Sequence, residues 1–476
     1  MSKKMKICLV LEGSYPYVHG GVSTWMHNYI KGMPDREFCL WVIGANTEQK
    51  GKFVYDILEN VTSVTEVFLD DALKVQDDGK WRVKFTDEEL HALTELMRCG
   101  RPNWDILFEL YQKKHINPVS FLKSEHALNI LTEICLNEYR YVPYADTFHT
   151  MRSMLLPVLY LLGSEVPQAD CYHAICTGYG GLLATLGSYM YNAPLLLTEH
   201  GIYSREREEE IIRADWVTPT FKGRWIQFYY MLSNAIYSRA YRVTSLFGRA
   251  SQTQVELGCD ASKVGPIANG VHYENFVNIP LKEEDGWIDI GAVVRFAPIK
   301  DIKTMLYAFF ELSNRVEKVR LHIMGGVDDE EYFEECKELI EQLHIPNVII
   351  TGRVNIVEYF PKLDFTILTS ISEGQPLSIL ESFAARRPVV CTDVGCCRAL
   401  IGGEEGDDLG IAGYCVPPMH RQALADAMEK MSVNHLARLE MGRIGQRRVE
   451  LYYRHEQMSE NYATMYRDVE NTFGFA

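Results

Sequence analysis

Apolar residues along this chain fall into short unbroken runs separated by stretches of helical spacing, and that alternation predicts the architecture. Residues 6–11 form a nearly continuous apolar run, the signature of a strand buried on both faces. A glycine-containing loop over 12–21 follows. Val22, Trp25, Met26, Tyr29, Ile30 and Met33 then recur on one helical face, and 38–43 reads as the next strand, which makes a βαβ unit of a parallel sheet. From about 86 to 163 the pattern is helical: Thr86 with Glu89 forms a capping box ahead of Leu90, Leu93, Leu96 and Met97, and further helical spacing covers 106–111 and 121–136. Strand and helix alternate again with 172–176, the turn at Gly178 to Gly181, a helix to Met190 and a strand over 195–198.

The Asn269-Gly270 turn signal suits a domain junction. Beyond it, apolar runs at 288–294, 321–324, 348–351, 365–369 and 389–392 alternate with helical segments, again implying a parallel sheet covered on both faces. The expected organisation is an N-terminal Rossmann-like domain over 1–275 with a helical insertion at about 86–163, and a C-terminal one over 285–454. A last helix within 455–476 is expected to pack back on the first domain. In such sheets ligands bind outside the carboxyl ends of the strands.

A length of 476 residues exceeds what one core supports. With 47% hydrophobic and 24% charged residues, disorder is excluded. The formal net charge of -16 disfavours a sequence-independent grip on nucleic acid or anionic lipid. The opening Met-Ser-Lys-Lys-Met-Lys resembles the start of an export signal, but the apolar run behind it ends at Glu12. The stretch 154–162 is interrupted by Pro157 and falls short of the ~20 residues of a membrane span. Twelve cysteines without a Cys-x-x-Cys read as reduced, mostly buried thiols of a cytoplasmic protein. Zinc at Cys391, Cys396 and Cys397 is the minor alternative.

Candidate chemistry concentrates behind the strands. Ser372-Glu373-Gly374-Gln375-Pro376-Leu377 follows the run at 365–369. Pro376 suits a first helical position and Gly374 frees the turn, so the amides here would face a bound anion such as a diphosphate. Glu373 and Glu381 flank that point and can accept hydrogen bonds from sugar or ribose hydroxyls; the plainer reading makes them a capping acid and a solvated helix face. Arg295 and Lys300 follow the run at 288–294 and suit a phosphate clamp, against the competing reading of a Lys300–Asp301 surface pair. Gly20-Gly21 is a similar anion-friendly turn in the first half, and His200 with Tyr203 follows the run at 195–198. No Asp-x-Asp occurs, so no metal or other cofactor is expected, and Arg295, Lys300 and the helix N-terminus must neutralise a leaving diphosphate.

Gly20-Gly21, His200, Asn269-Gly270-Val271, Arg295 with Lys300, and the Glu373-x7-Glu381 pair occur in this order, and together they resemble the retaining glycosyltransferases of the GT-B fold, family 4. The segments 11–23, 199–207 and 373–377 look more narrowly like the glycosyltransferases of Pel-type exopolysaccharide synthesis. The resemblance implies two doubly wound α/β domains facing across a cleft, a UDP-sugar donor and a polysaccharide acceptor. It also implies a membrane-embedded synthase complex as partner, with the chain at the inner face of the membrane and without a span of its own. It places Glu373 on the donor sugar, Glu381 on the ribose, Arg295 and Lys300 on the pyrophosphate, backbone near Gly352 and Arg353 on the uracil, and His200 on the sugar or acceptor side. Gly374, Gln375, Pro376 and Leu377 complete the expected donor contacts. Ala385-Arg386-Arg387-Pro388 departs from the pattern, since a glycine usually precedes the Pro-Val strand. A UDP-sugar 2-epimerase and a nonenzymatic UDP-sugar-binding subunit are the alternative functions.

Overall fold

The computed structural model describes residues 4–475, and the chain divides into two compact units, Met1–Pro266 with Ala463–Ala476, and Ile267–Tyr462. Each is built on one parallel sheet.

In the first unit the strands are β1 (Lys6–Glu12), β2 (Glu37–Gly44), β3 (Val61–Phe68), β4 (Cys171–Ala174), β5 (Leu195–Glu199), β6 (Arg242–Ser245) and β7 (Val264–Pro266). Their order in the sheet is β3-β2-β1-β4-β5-β6-β7. Ile7 lies opposite Phe38 on one side and Cys171 on the other, so β1 is central. That position explains its composition: Ile7 through Leu11 are fully buried, and only an unbroken apolar run suits both faces. The edge strand β3 is largely half-exposed, and its alternating Val-Thr-Ser-Val-Thr lacks the run that marks the others. The short β6 and β7 escape the pattern for a different reason: four and three residues are too few to show a period.

Five helices, Asp87–Met97, Trp104–Gln112, Pro118–Leu122, Glu125–Glu138 and Tyr144–Leu162, lie between β3 and β4. The capping box is formed: Thr86 accepts from the Glu89 amide while Glu89 accepts from Thr86. The helical spacing over 121–136 is two helices, broken where Ser124 caps the second through the Ala127 amide at 3.2 Å. Pro157 sits inside Tyr144–Leu162, and the apolar run around it is core, with Met154 to Leu156, Val158, Leu159, Leu161 and Leu162 buried. Among the described residues no helix is long and apolar enough to cross a membrane. The helix His455–Phe473 brings Tyr466 against this sheet: its hydroxyl meets His173 Nδ1 at 2.7 Å and receives the Tyr29 hydroxyl at 2.7 Å. His173 Nε2 meets Thr198 Oγ1 at 2.8 Å.

The second unit has β8 (Ile288–Val293), β9 (Val319–Met324), β10 (Val348–Gly352), β11 (Phe365–Leu368), β12 (Val389–Thr392) and β13 (Gly413–Val416) in the order β10-β9-β8-β11-β12-β13. Both sheets are therefore doubly wound, with the order reversing between β1 and β4 in the first and between β8 and β11 in the second. A crevice opens at such a reversal because successive crossovers leave it in opposite directions.

Candidate functional site

The reversal in the second sheet gathers two loops that are about seventy residues apart in sequence. Behind β8, Pro298–Lys300 makes a short turn and Asp301, at φ +47°, caps the helix Ile302–Ser313 through the Thr304 amide. Behind β11, Thr369 Oγ1 donates to the carbonyls of Lys300 at 2.8 Å and Asp301 at 3.2 Å, and the Ile371 amide donates to Ile299 O at 2.9 Å. These bonds stitch the loops together. Lys300 Nζ consequently donates to Glu373 Oε1 at 2.6 Å, and Ser370 Oγ donates to the same oxygen at 2.6 Å. The competing Lys300–Asp301 pair does not form; Asp301 is engaged as a helix cap. Thr392 Oγ1 holds the Ser370 carbonyl at 2.6 Å.

The Glu373–Gln375 turn is fixed from two further sides. Gly395, at φ +53°, abuts the Glu373 and Gly374 carbonyls so closely that a β-carbon would lie 2.1 Å and 2.3 Å from them. The Cys396 amide donates to Gly374 O at 3.0 Å, and Gln375 Oε1 accepts from the Asn269 amide at 2.6 Å. The helix runs Leu377–Ala384 with Pro376 at the N-cap, one position earlier than expected, because Pro376 keeps an extended ψ of 116°. A proline cap has no side-chain oxygen; the Ile379 amide donates to Pro376 O at 3.2 Å, and the amides of Leu377 and Ser378 are left for an outside acceptor. Glu381 lies on the second turn; its carbonyl accepts from the Ala385 amide at 3.0 Å, its carboxylate has no hydrogen bond or ion pair among the described residues, and burial pushes its carboxyl up to about 7.

Arg295 joins a neighbouring group rather than the Lys300–Glu373 pair. Its half-exposed guanidinium pairs with Asp328. The Phe296 amide donates to Gly326 O, and the Gly325 amide to Gly352 O, both at 2.9 Å; Gly352 has φ +67°, and the Arg353 side chain lies over Gly326. Gly352 and Arg353 thus stand across the Gly325–Gly326 turn from Arg295, at the carboxyl ends of β10 and β8 with β9 between them.

In the first unit, His200 follows β5 with its ring edge-on to Trp25 at 4.2 Å. Its Nε2 is buried without a partner among the described residues, and burial pulls the imidazole down to about 4, so it is neutral at ordinary pH. Gly20 and Gly21 open the helix Gly21–Lys31, and nothing lies within 4 Å of where their β-carbons would be; protein packing does not demand glycine there. Tyr203 is buried, its ring against Gly178 and its hydroxyl donating to Glu12 Oε1 at 3.0 Å. The Gly180 amide donates to Glu12 Oε2 at 3.0 Å. Glu12 therefore fills the reversal between β1 and β4, a position its place at the end of the first strand could have flagged. Among the described residues no group of three or more His, Cys, Asp or Glu is arranged to hold a metal ion.

Residues 5–262 match the family model described as Domain of unknown function (DUF3492), and residues 288–434 match Glycosyl transferases group 1. The alpha-monoglucosyldiacylglycerol synthase of Streptococcus pneumoniae is 34% identical over 140 residues, covering 26% of this chain and 31% of that protein. The capsular polysaccharide biosynthesis glycosyltransferase CapM of Staphylococcus aureus is 25% identical over 216 residues, covering 43% and 53%. The chain thus spans only about a third to a half of the length of these relatives. Among solved structures, sucrose-phosphate synthase from Thermosynechococcus elongatus superposes with a TM-score of 0.60 at 14% identity, covering 98% of this chain and 100% of that one. Anabaena HepE in complex with UDP-glucose gives 0.59 at 15% identity, with 98% and 100% covered. These likenesses establish the GT-B fold. With more than half of its length matched by one family model, the chain belongs to the DUF3492 family, and residues 288–434 of its second unit match Glycosyl transferases group 1.

Proposed function

We propose that the protein is a retaining, metal-independent glycosyltransferase that moves a hexose or N-acetylhexosamine from a UDP-sugar to a growing exopolysaccharide. The observation that carries this reading is Lys300 beside Glu373 at the reversal of the second sheet, next to an uncapped helix N-terminus. A cation and free amides meet the diphosphate there, while carboxylates at Glu373 and Glu381 accept from sugar and ribose hydroxyls. Arg295 adds a guanidinium fork, and the backbone at Gly352 and Arg353 meets the base. As the sugar–phosphate bond breaks, negative charge grows on the diphosphate and is met by groups already in place. The departing oxygen helps deprotonate the acceptor hydroxyl on the same face, so the anomeric configuration is retained without a protein nucleophile. His200, neutral and with Nε2 free, is suited to accept from or donate to a sugar hydroxyl.

Supporting a nucleotide-sugar donor, HepE of similar fold was solved with UDP-glucose. Supporting a polysaccharide or glycolipid product are the functions named for the relatives from S. aureus and S. pneumoniae. The finer resemblance of 11–23, 199–207 and 373–377 to the Pel exopolysaccharide glycosyltransferase PelF favours a Pel-type acceptor and a membrane synthase complex as partner. Calorimetric titration with a panel of UDP-sugars in a chelator-containing buffer tests the donor, and product anomeric configuration by NMR tests retention. Indifference to every UDP-sugar sinks the proposal.

A further inference from the structure

The turn that ends the helix Leu377–Ala384 carries arginine where its geometry favours glycine. Arg386 has φ +60°. Its amide donates to Phe383 O at 2.9 Å and the Arg387 amide to Ser382 O at 2.8 Å, the paired bonds that close a helix on a left-handed residue. A β-carbon is strained in that conformation. The Arg386 carbonyl also lies against Gly442, whose β-carbon would be 2.3 Å away, so the helix His435–Tyr452 braces the turn.

The side chain of Arg386 lines a cavity of about 500 Å³ together with Lys282, Trp287, Asp364, His435 and Arg438. Ile288 opens β8, Asp364 immediately precedes β11 and Pro388 immediately precedes β12, and all three line it. The cavity therefore lies at the amino ends of the strands, on the opposite edge from Lys300 and Glu373.

Its lining carries three cations, Lys282, Arg386 and Arg438, and three carboxylates, Glu283, Glu284 and Asp364, so what it can bind turns on which of them are already paired. Among the described residues Arg386 has no ion pair and its Nε is buried without a partner, and one guanidinium nitrogen reaches Ile279 O at 3.3 Å. Arg387, fully buried, donates among the described residues only to the carbonyls of Leu363, Ala385, Pro280 and Phe360. Arg438 donates to the carbonyls of Met431 and Ser432 and stands 3.5 Å from Asp364. Asp364 is shared with Lys282 at 3.2 Å, and Lys282 is also tied to Asp285 and Asp289. Glu283 and Glu284, at the mouth, are exposed, and Glu284 faces His435 at 3.7 Å. Uncompensated buried charge is costly. Burial lowers the Arg438 guanidinium from its ordinary range and brings Arg387, beside Arg386, down to about 10.

We propose that this cavity is a second anion site that takes a phosphate group, separate from the nucleotide-sugar site. Arg386 and Arg438 offer planar forks that match phosphate oxygens, and Trp287, Leu363 and Leu439 provide an apolar wall for an organic body attached to it. The site is independent of the donor reading.

The test is calorimetric titration of the full chain with inorganic pyrophosphate and, separately, with UMP. Arg386→Gly suits φ +60° and leaves the turn intact; Arg386→Asn, also tolerated there, guards against a folding defect. Wild type is expected to bind an equivalent that either variant weakens at least tenfold, and that Lys300→Met leaves in place. Seen with either ligand, this equivalent supports the site; its size with UMP against pyrophosphate tells nucleoside phosphate from free phosphate. If folded Arg386→Gly binds both ligands as wild type does, the proposal is overturned, whatever Lys300→Met does.

Discussion

Lys300 Nζ donates to Glu373 Oε1 at 2.6 Å, so the cation suited to a diphosphate is held by the carboxylate suited to the sugar. Donor binding must divide this pair between two ends of one ligand. Glu373→Gln releases Lys300 and is expected to tighten UDP while lowering transfer roughly a hundredfold. Lys300→Met is expected to weaken UDP about tenfold or more, the scale of a charged hydrogen bond. Weaker UDP binding by Glu373→Gln would mean that the pair does not compete with the ligand.

Arg295 pairs with Asp328 at an exposed position, where an ion pair adds little stability. Arg295→Ala should leave Tm unchanged yet slow turnover roughly a hundredfold, the effect of losing one donor to a developing anion. Near-normal transfer would remove Arg295 from the diphosphate.

Burial disfavours the charged form of Glu381 and pushes its carboxyl from the ordinary 4.5 up to about 7. Ribose hydroxyls donating to the carboxylate would favour ionisation and lower that value. UDP binding at pH 6 to 7 is therefore expected to release a proton, read as a dependence of calorimetric heat on buffer ionisation enthalpy. Glu381→Gln should abolish the release. In the free protein the sign is the reverse of a salt-bridged acid: the protonated form is the favoured native one, so Glu381 costs stability as pH rises from 4.5 towards 7.

Gly395→Ala would place a β-carbon 2.1 Å from the Glu373 carbonyl at φ +53°. Backbone there has no room to yield without moving Glu373, so UDP affinity and transfer should both fall by tenfold or more. Gly21→Ala, which meets nothing, is the contrasting case and should leave Tm unchanged.

Thr86→Ala removes one half of the capping box and is expected to cost about 1 kcal/mol, seen as a lower denaturation midpoint.

Much of this fold was legible from local pattern. Buried central strands need unbroken apolar runs, so β1, β8 and β11 announce themselves, and the Thr86–Glu89 box is a purely local bargain between side chain and backbone. The edge strand β3 did not show because much of its surface is exposed and no run is required, and β6, β7 and β13 did not because three or four residues are too few to show a period. Within the candidate site, Glu373, Lys300, Arg295 and Glu381 were recognisable by type and by their place behind strands.

What those residues touch was decided by tertiary structure alone. Lys300 meets Glu373 rather than its neighbour Asp301 because the crossover sets β11 beside β8, and Arg295 meets Asp328 because β9 flanks β8 on the other side. The uncompensated arginines at Arg386 and Arg387 likewise looked like a mere departure in a loop until packing enclosed them. Sequence specifies which segments must be buried and how each begins and ends, since those are short-range energies. Which charges become partners depends on strand order and on the burial it imposes, and neither is present until the sheet has closed.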